Sequence, residues 1–109
     1  MAANISNKAA IAGIGATAFS KDSGRSELAL AAEAVKKALD DAGLKPADVK
    51  GMVTFTIDQN EEVDVARALG CNDLSFYARV PYGGGAATGT LLQAAMAVAS
   101  GVADVVVVY

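Results

Sequence analysis

The sequence is poor in the residues that most often carry enzyme chemistry: it has no histidine, no tryptophan and a single cysteine, Cys71. One cysteine cannot form an internal disulfide, which favours a reducing compartment such as the cytoplasm. The net charge is −3 and basic residues do not cluster, so nucleic acid is not expected as a partner. The first ten residues lack a basic segment followed by a long apolar core, so we expect no signal peptide.

Apolar residues are abundant, at 53% of the chain against 19% charged residues. This balance is typical of a soluble globular domain, or part of one, and not of a disordered chain. Residues 80–103 carry no charge, and this stretch is long enough to raise the question of a membrane span. Its proline, glycines, threonines, glutamine and serine make it too polar and too broken for lipid, so we predict a buried helix and no membrane partner.

The first half of the chain alternates between predicted strands and helices. The run "AAIAGIGATAF", residues 9–19, predicts a first strand. Ser26 can cap a helix with apolar residues at helical spacing, and Gly43 is typical of its end. The run "VKGMVTFTID", residues 49–58, predicts a second strand because it is rich in β-branched and aromatic residues. A short helix, capped by Asn60, is predicted to follow.

The second half continues this alternation. The run "LSFYARVPY", residues 74–82, predicts a third extended segment, and a helix is predicted from about Ala86 to Ser100. The final run "DVVVVY", residues 104–109, is typical of a strand buried on both faces of a sheet. The order predicts a layered α/β fold with a largely parallel sheet. Because the sequence stops inside this apolar run, we expect residues 1–109 to be the front part of a longer polypeptide.

The segment "GIGATA", residues 13–18, fits a loose form of the dinucleotide-binding fingerprint. That fingerprint requires a helix to begin at once, so that its N-terminus faces the pyrophosphate. Here "FSKDSGR" intervenes, and no acidic residue ends a strand about 20 positions later, where the ribose would be bound. We therefore reject NAD and predict that these glycines permit close contact with another segment.

Three segments resemble the N-terminal half of the thiolase superfamily. They are "IAGIGATAFSK", "LALAAEAVKKALDDAGLKPADVKGMV" and "GGGAATGTLLQAAMAVASGVADVVVV", which together cover nearly the whole chain. The resemblance implies the N-terminal portion of a thiolase-like layered α/β/α fold, with a mostly parallel sheet and a buried central helix. The family's length, roughly four times that of this chain by our reckoning, agrees with an expected truncation.

Thiolases carry a nucleophilic cysteine at the N-terminus of that central helix, where the helix dipole lowers the thiol pKa. The corresponding position here is Ala86, or Gly84 if the alignment is shifted to match the helix end. Neither residue can form a thioester, and Cys71 lies in an earlier loop, where it is most simply a bystander. The resemblance therefore implies that no acyl-enzyme forms at this site and that these residues contain no catalytic nucleophile.

Within the superfamily, "GIGATAFSKDSGRSELALAAEAV", "TFTID" and "YGGGAA" resemble the lipid-transfer-protein group, specifically the bacterial steroid side-chain aldolases. That resemblance implies retro-aldol cleavage of a steroid β-hydroxyacyl-CoA into a ring ketone and propionyl-CoA. Acyl-CoA would then be a substrate, and no cofactor or metal is expected. The family's acid/base tyrosines would come from its C-terminal half, beyond these residues. A thiolase-like acyltransferase with its nucleophile elsewhere, and a non-catalytic lipid-transfer or scaffold subunit, remain as alternatives.

The glycine run has two interpretations that do not exclude each other. The glycines can allow close packing where the chain enters the central helix, or they can leave room for a bulky acyl group. On the second interpretation the pocket wall consists of Tyr82, Gly83, Gly84 and Gly85. Tyr82 is slightly more plausible as a packing residue than as a catalytic one.

The resemblance also implies two protein partners. The segment "SFYARVPY" occupies the place of the thiolase dimer interface, so Phe76, Tyr77 and Val80 are predicted to lie in a homodimer contact. Steroid aldolases of this kind pair with a small acyl-CoA-associated protein that has an OB-fold. No residue of this sequence indicates that partner, so it is implied by the resemblance alone.

Overall fold

The computed structural model describes residues 4–55, 62–81 and 84–109. Three α-helices, three β-strands and two short 3₁₀ helices are formed within these ranges. In chain order they are α1 (Glu27–Ala42), a 3₁₀ turn (Pro46–Asp48), β1 (Gly51–Phe55), α2 (Glu62–Leu69), β2 (Phe76–Val80), a second 3₁₀ turn (Gly84–Ala86), α3 (Gly89–Ala99) and β3 (Val106–Val108). None of the helices in the described part of the chain combines the length and apolar character needed to cross a membrane.

Helix α1 begins and ends where its capping residues predict. The Ser26 hydroxyl accepts a hydrogen bond from the Ala29 amide at 3.1 Å, which satisfies one of the amides that a helix start leaves without a partner. Gly43 ends the helix in the left-handed conformation with φ of 72°, which glycine adopts without a steric penalty. Local signals of this kind do not depend on distant parts of the chain, so this prediction is confirmed.

The three strands form one parallel sheet in the order β2-β1-β3. The chain moves from β1 to β2 in one direction along the sheet, and then from β2 across to β3 in the other. Because parallel crossovers are right-handed, these opposite directions place α2 and α3 on opposite faces of the sheet. The prediction of a mostly parallel sheet in a layered α/β fold is therefore confirmed.

The core forms on both faces of β1, whose first four residues are buried. On one face, Met52 and Val107 pack in a cluster with Val35 and Leu39 of α1 and Val65 of α2. On the other face, α3 contacts all three strands, with Ala94 and Ala97 buried. Alanine at these positions lets the helix lie close to the valine-rich sheet, which places the start of α3 beside the end of β2.

The predicted first strand is wrong: residues 9–19 form no strand in the structure. This segment runs along α1, where Gly13 and Gly15 come so close to the helix that a side chain would not fit. A Cβ atom at Gly13 would lie 2.9 Å from the Ala42 nitrogen, well inside van der Waals contact. The apolar run thus reflects contact with a helix instead of pairing in the sheet, and the interpretation of these glycines as close-contact residues fits this geometry.

The remaining predicted boundaries shift by a few residues. Helix α3 begins at Gly89 instead of Ala86, because glycine and threonine are poor helix formers and the preceding residues take a 3₁₀ turn. Its outer side, with Leu92 and Met96, is about half exposed, so only one side of the predicted buried helix is covered in the described residues. Strand β3 is buried at Val107 and partly exposed on both sides of it. Asn60 lies outside the described residues.

Candidate functional site

The carboxyl ends of β1 and β2 define the place where a ligand is most readily bound. Phe55 and Val80 are paired as the last residues of these two strands. The helices that follow the two strands lie on opposite faces of the sheet, and in open α/β sheets ligands commonly bind beyond the strand ends at such a point. Gly84 and Gly85 lie a few residues after the end of β2, and so near the carboxyl ends of the strands.

Gly84 and Gly85 are exposed, and a Cβ atom built at either one would meet no atom of the described residues within 4 Å. Close packing against the described residues therefore does not explain glycine at these two positions. At Gly89, by contrast, a Cβ would lie 3.6 Å from Val80 Cγ1, an ordinary contact between the start of α3 and the end of β2. Open space beside Gly84 and Gly85 favours the interpretation that these residues leave room for a ligand. Tyr82 and Gly83, the other predicted wall residues, lie outside the described residues.

The start of α3 is polar but carries no acidic residue in its first turn. Thr90 is buried, and its hydroxyl donates a hydrogen bond to the Ala87 carbonyl at 2.6 Å. Thr88 is the N-cap residue and makes no side-chain capping bond. No acidic side chain of this first turn neutralises the positive end of the helix, which can stabilise negative charge that develops nearby.

Ala86 is the last residue of the 3₁₀ turn, three positions before α3 begins. Its methyl side chain and the hydrogen of Gly84 offer no nucleophilic atom. The place at which the thiolase resemblance implies a cysteine thus holds only backbone and small side chains.

Cys71 lies before the amino end of β2, whereas Gly84 and Gly85 follow its carboxyl end. It follows α2 and precedes β2, and its amide donates a hydrogen bond to the Ala66 carbonyl at 2.8 Å. The side chain is buried, and burial raises the pKa of the Cys71 thiol because the thiolate would lose its hydration. A raised pKa is opposite to what a nucleophilic thiol requires, so this geometry fits the interpretation of Cys71 as a bystander.

The three residues predicted in a dimer contact all lie on β2, which is an edge strand of the described sheet. They do not share one face. Phe76 and Val80 are half-buried on the side of α3, whereas Tyr77 is 70% exposed on the other side. Tyr77 also lines a surface cleft of about 520 Å³ with Arg67 and Cys71. Sequence reasoning did not identify this cleft, since α2 and β2 must pack before its residues meet.

Comparison with known proteins identifies two relatives whose sequences are highly identical to this chain. No family model matches the chain. The chain is 65% identical over 105 residues to a 17-hydroxy-3-oxo-4-pregnene-20-carboxyl-CoA lyase of Mycobacterium tuberculosis, covering 96% of this chain and 27% of the lyase. It is 66% identical over 101 residues to a steroid side-chain-cleaving aldolase of Thermomonospora curvata, covering 93% of this chain and 26% of that enzyme. The chain thus spans about a quarter of the length of these relatives.

Two solved structures are similar to this fold. The Ltp2-ChsH2(DUF35) aldolase matches with a TM-score of 0.88 and 66% identity, over 91% of this chain and 26% of that chain. A priming β-ketosynthase of the R1128 polyketide pathway matches with a TM-score of 0.61 and 21% identity, over 74% of this chain and 25% of that chain, and this match concerns the fold alone. The chain is therefore a close homologue of a quarter-length portion of the steroid side-chain-cleaving aldolases, with the thiolase-like α/β fold.

Proposed function

We propose that the chain is part of a steroid side-chain aldolase that cleaves a β-hydroxyacyl-CoA into a ring ketone and propionyl-CoA. The observation that carries the proposal is identity of 65–66% with proteins named as a lyase and an aldolase of steroid side chains. The glycine run supports it, because Ala86 and Gly84 provide no nucleophile and the space beside Gly84 and Gly85 is open.

The reaction requires no covalent acyl carrier. A base removes the proton of the steroid hydroxyl, and the oxygen electrons form the ketone as the bond between the ring carbon and the acyl α-carbon breaks. The bonding pair passes to the thioester as an enolate, which is then protonated at the α-carbon to give propionyl-CoA. Stabilisation of the enolate by a positioned hydrogen-bond donor contributes on the order of 3 kcal/mol per donor. In this proposal the base comes from outside residues 1–109, and these residues form one wall of the pocket.

Two partners belong to the proposal. One is a DUF35-type protein, supported by the solved aldolase whose name includes ChsH2(DUF35); we propose that it is the small OB-fold protein expected from the resemblance. The other is a second copy of the polypeptide, paired through the exposed edge of β2. An exposed strand edge offers main-chain groups to another strand, which supports a homodimer at Phe76, Tyr77 and Val80.

The test mixes the full-length protein, with its partner, and a steroid β-hydroxyacyl-CoA in the absence of free CoA. Mass spectrometry then follows ketone and propionyl-CoA. We expect both products, because retro-aldol cleavage consumes no CoA. Strict dependence on added CoA would indicate an acyltransferase, and a lack of product under every condition would indicate a scaffold subunit.

Substitution of Gly84 tests the role of the glycine run. Gly84→Val should lower kcat/KM about tenfold, equivalent to ~1.4 kcal/mol, because its methyl groups enter the space assigned to the acyl group. Gly84→Ala is the matched control, since one Cβ atom meets nothing within 4 Å in the described residues. Both variants should unfold at the same temperature as the parent protein. An unchanged kcat/KM in Gly84→Val would show that Gly84 does not line the pocket that binds the acyl group.

A further inference from the structure

The connection between the N-terminal segment and α1, residues 17–25, lies at the end of the sheet where the strands finish. The segment before it lies beside Ala42 at Gly13. Two residues later, at Gly15, it lies beside Ala34, so it runs antiparallel to α1. Helix α1 packs on the sheet and is joined to β1 by a short turn, which reverses the chain direction between them. The segment therefore runs in the direction of the strands, and the connection follows it at their carboxyl ends.

One carboxylate of α1 holds both ends of this connection. Glu33 pairs with the Arg25 guanidinium through one oxygen and with the Lys37 ammonium, at 2.7 Å, through the other. The Lys37 ammonium also donates a hydrogen bond to the Ala16 carbonyl at 3.2 Å. Ala16 immediately precedes the connection and Arg25 is its last residue, so these contacts fix both ends to the helix. We call the three contacts the Glu33 network.

The Glu33 network differs from an ordinary ion pair on a helix surface. The nearby pair of Lys36 and Asp40 joins two well-exposed side chains one turn apart, and such pairs contribute little. The Glu33 side chain is only 31% exposed and serves two cations. Hydrogen bonds from Lys37 and then Arg25 lower the pKa of Glu33, so the carboxylate is charged at neutral pH. The network therefore restricts the connection, whereas the pair of Lys36 and Asp40 connects the helix only to itself.

The connection also carries a cation at the same end of the sheet as the glycine run. The Asp22 carboxylate accepts a hydrogen bond from the Gly24 amide at 3.0 Å, which forms a local turn. Lys21 precedes this turn and is exposed. An ammonium group is suited to binding phosphate. Because Gly84 and Gly85 are assigned to the acyl group, Lys21 is available for the other end of an acyl-CoA.

We propose that Glu33 is a positioning residue, which holds residues 17–25 so that Lys21 binds the phosphate groups of the acyl-CoA. The choice of CoA as the ligand rests on the proposed function. Glu33 acts through the connection and touches no reacting atom. Loss of the Glu33 network should therefore weaken binding of the substrate and of the transition state equally, which raises KM and leaves kcat unchanged.

The test uses the full-length protein with its partner and compares Glu33→Gln with Asp40→Asn, a control that removes the exposed pair with Lys36. Two substrates carry the same steroid acyl group, one on CoA and one on N-acetylcysteamine, which has no phosphate. Glu33→Gln should raise KM for the CoA thioester about fivefold, the size expected for one exposed charge contact, with kcat unchanged. Lys21→Gln should have the same effect. Neither substitution should change KM for the short thioester, and Asp40→Asn should change neither KM.

Hydrogen exchange at the amides of residues 17–25 gives a readout that does not depend on catalysis. Exchange should be faster in Glu33→Gln than in the parent and in Asp40→Asn, and Lys21→Gln should leave it unchanged. Unchanged exchange in Glu33→Gln, an unchanged KM for the CoA thioester, or an equal rise of KM for both thioesters would overturn the inference.

Failure of the proposed function has a different signature, because the parent protein would then cleave neither thioester. Calorimetry of acyl-CoA binding still decides the role of Glu33 in that case. Binding should be about fivefold weaker in Glu33→Gln than in Asp40→Asn, and equal binding by the two variants would overturn the inference.

Discussion

At the scale of single residues, the position of a thiol determines its chemistry as much as its presence does. Cys71 is buried, and its pKa is raised by loss of hydration. Ala86, in contrast, lies in the 3₁₀ turn before α3, where no acidic residue occupies the first helical turn. A thiol at position 86 would therefore be close to the positive end of a helix, whereas the native thiol is remote from it.

Ala86→Cys in a Cys71→Ala background should produce a thiol whose pKa is lower than that of Cys71 in the parent. It should not produce CoA-dependent thiolysis, because a working thiolase also requires acid and base groups in matching geometry and residues 1–109 contain no histidine. Thiolate absorbance against pH measures the first quantity, and a thiolysis assay with an acyl-CoA measures the second. Substantial turnover by this double variant would mean that position 86 is a disabled thiolase site.

The sequence could predict which atoms are missing at this site but not the space around them. The identities of Ala86 and Gly84 are read directly, so the lack of a nucleophile follows at once. Whether Gly84 and Gly85 permit packing or leave open space depends on how α3 approaches β2. This approach is set by the three-dimensional structure and cannot be inferred from the sequence of the glycine run. The same limit applies to Tyr77, which lies on the opposite face from Phe76 and Val80 because side chains alternate along a strand.

At the scale of elements, local signals predicted helices better than they predicted sheet membership. The Ser26 cap and Gly43 stop place α1 correctly because each acts within one turn of the helix. An apolar run indicates that a segment is buried, but it does not indicate which element buries it. Residues 9–19 are accordingly apolar without being a strand, because they lie against α1.

Ser26→Ala should lower the free energy of unfolding by about 1 kcal/mol, the usual effect of removing a helix N-cap. The nearby Ser23→Ala is a control: Ser23 bonds to Arg25 in the exposed loop before α1 and does not cap the helix. Its effect should remain within about 0.5 kcal/mol. Chemical denaturation of the full-length protein compares the two, and equal effects would exclude a capping role for Ser26.

Gly15→Ala tests the contact between the N-terminal segment and α1. The added methyl group would lie 2.8 Å from Lys37 Cβ and 2.5 Å from the Ala38 nitrogen, so the segment must move away from the helix. We expect a loss of about 1–3 kcal/mol of stability, as for other overpacked sites, with faster proteolysis near residues 9–19. Resistance equal to that of the parent would show that the segment can shift without cost.

At the scale of the whole molecule, apolar surface remains exposed in several places. Leu91, Leu92 and Met96 on α3 and Phe19 before α1 are each more than 40% exposed. Large apolar side chains left in water at this many positions favour association with other polypeptide. The described residues thus form a layered core, but parts of their apolar surface are not covered by other described residues.

We therefore expect residues 1–109, produced alone, to be inactive and not to melt as a soluble cooperative monomer. Calorimetry and sedimentation measure cooperativity and association. The matched sample is the polypeptide continued to the length of the relatives, which should show a single sharp transition. A sharp, concentration-independent transition of the short chain would demonstrate that it is a stable unit by itself.

The strand order also bears on how the sheet assembles. Gly51 pairs with Phe76 on one side and with Val106 on the other, so the span closed by β3 is about twice that closed by β2. Doubling the length of a loop adds only ~0.6 kcal/mol to the entropic cost of closing it. This cost is far smaller than the free energy gained by burying a few apolar side chains. Chain length is therefore a minor barrier to docking of β3. Because β3 comes last in the chain, β1 has only β2 as a partner strand until β3 has been synthesised, and the addition of β3 makes β1 the central strand.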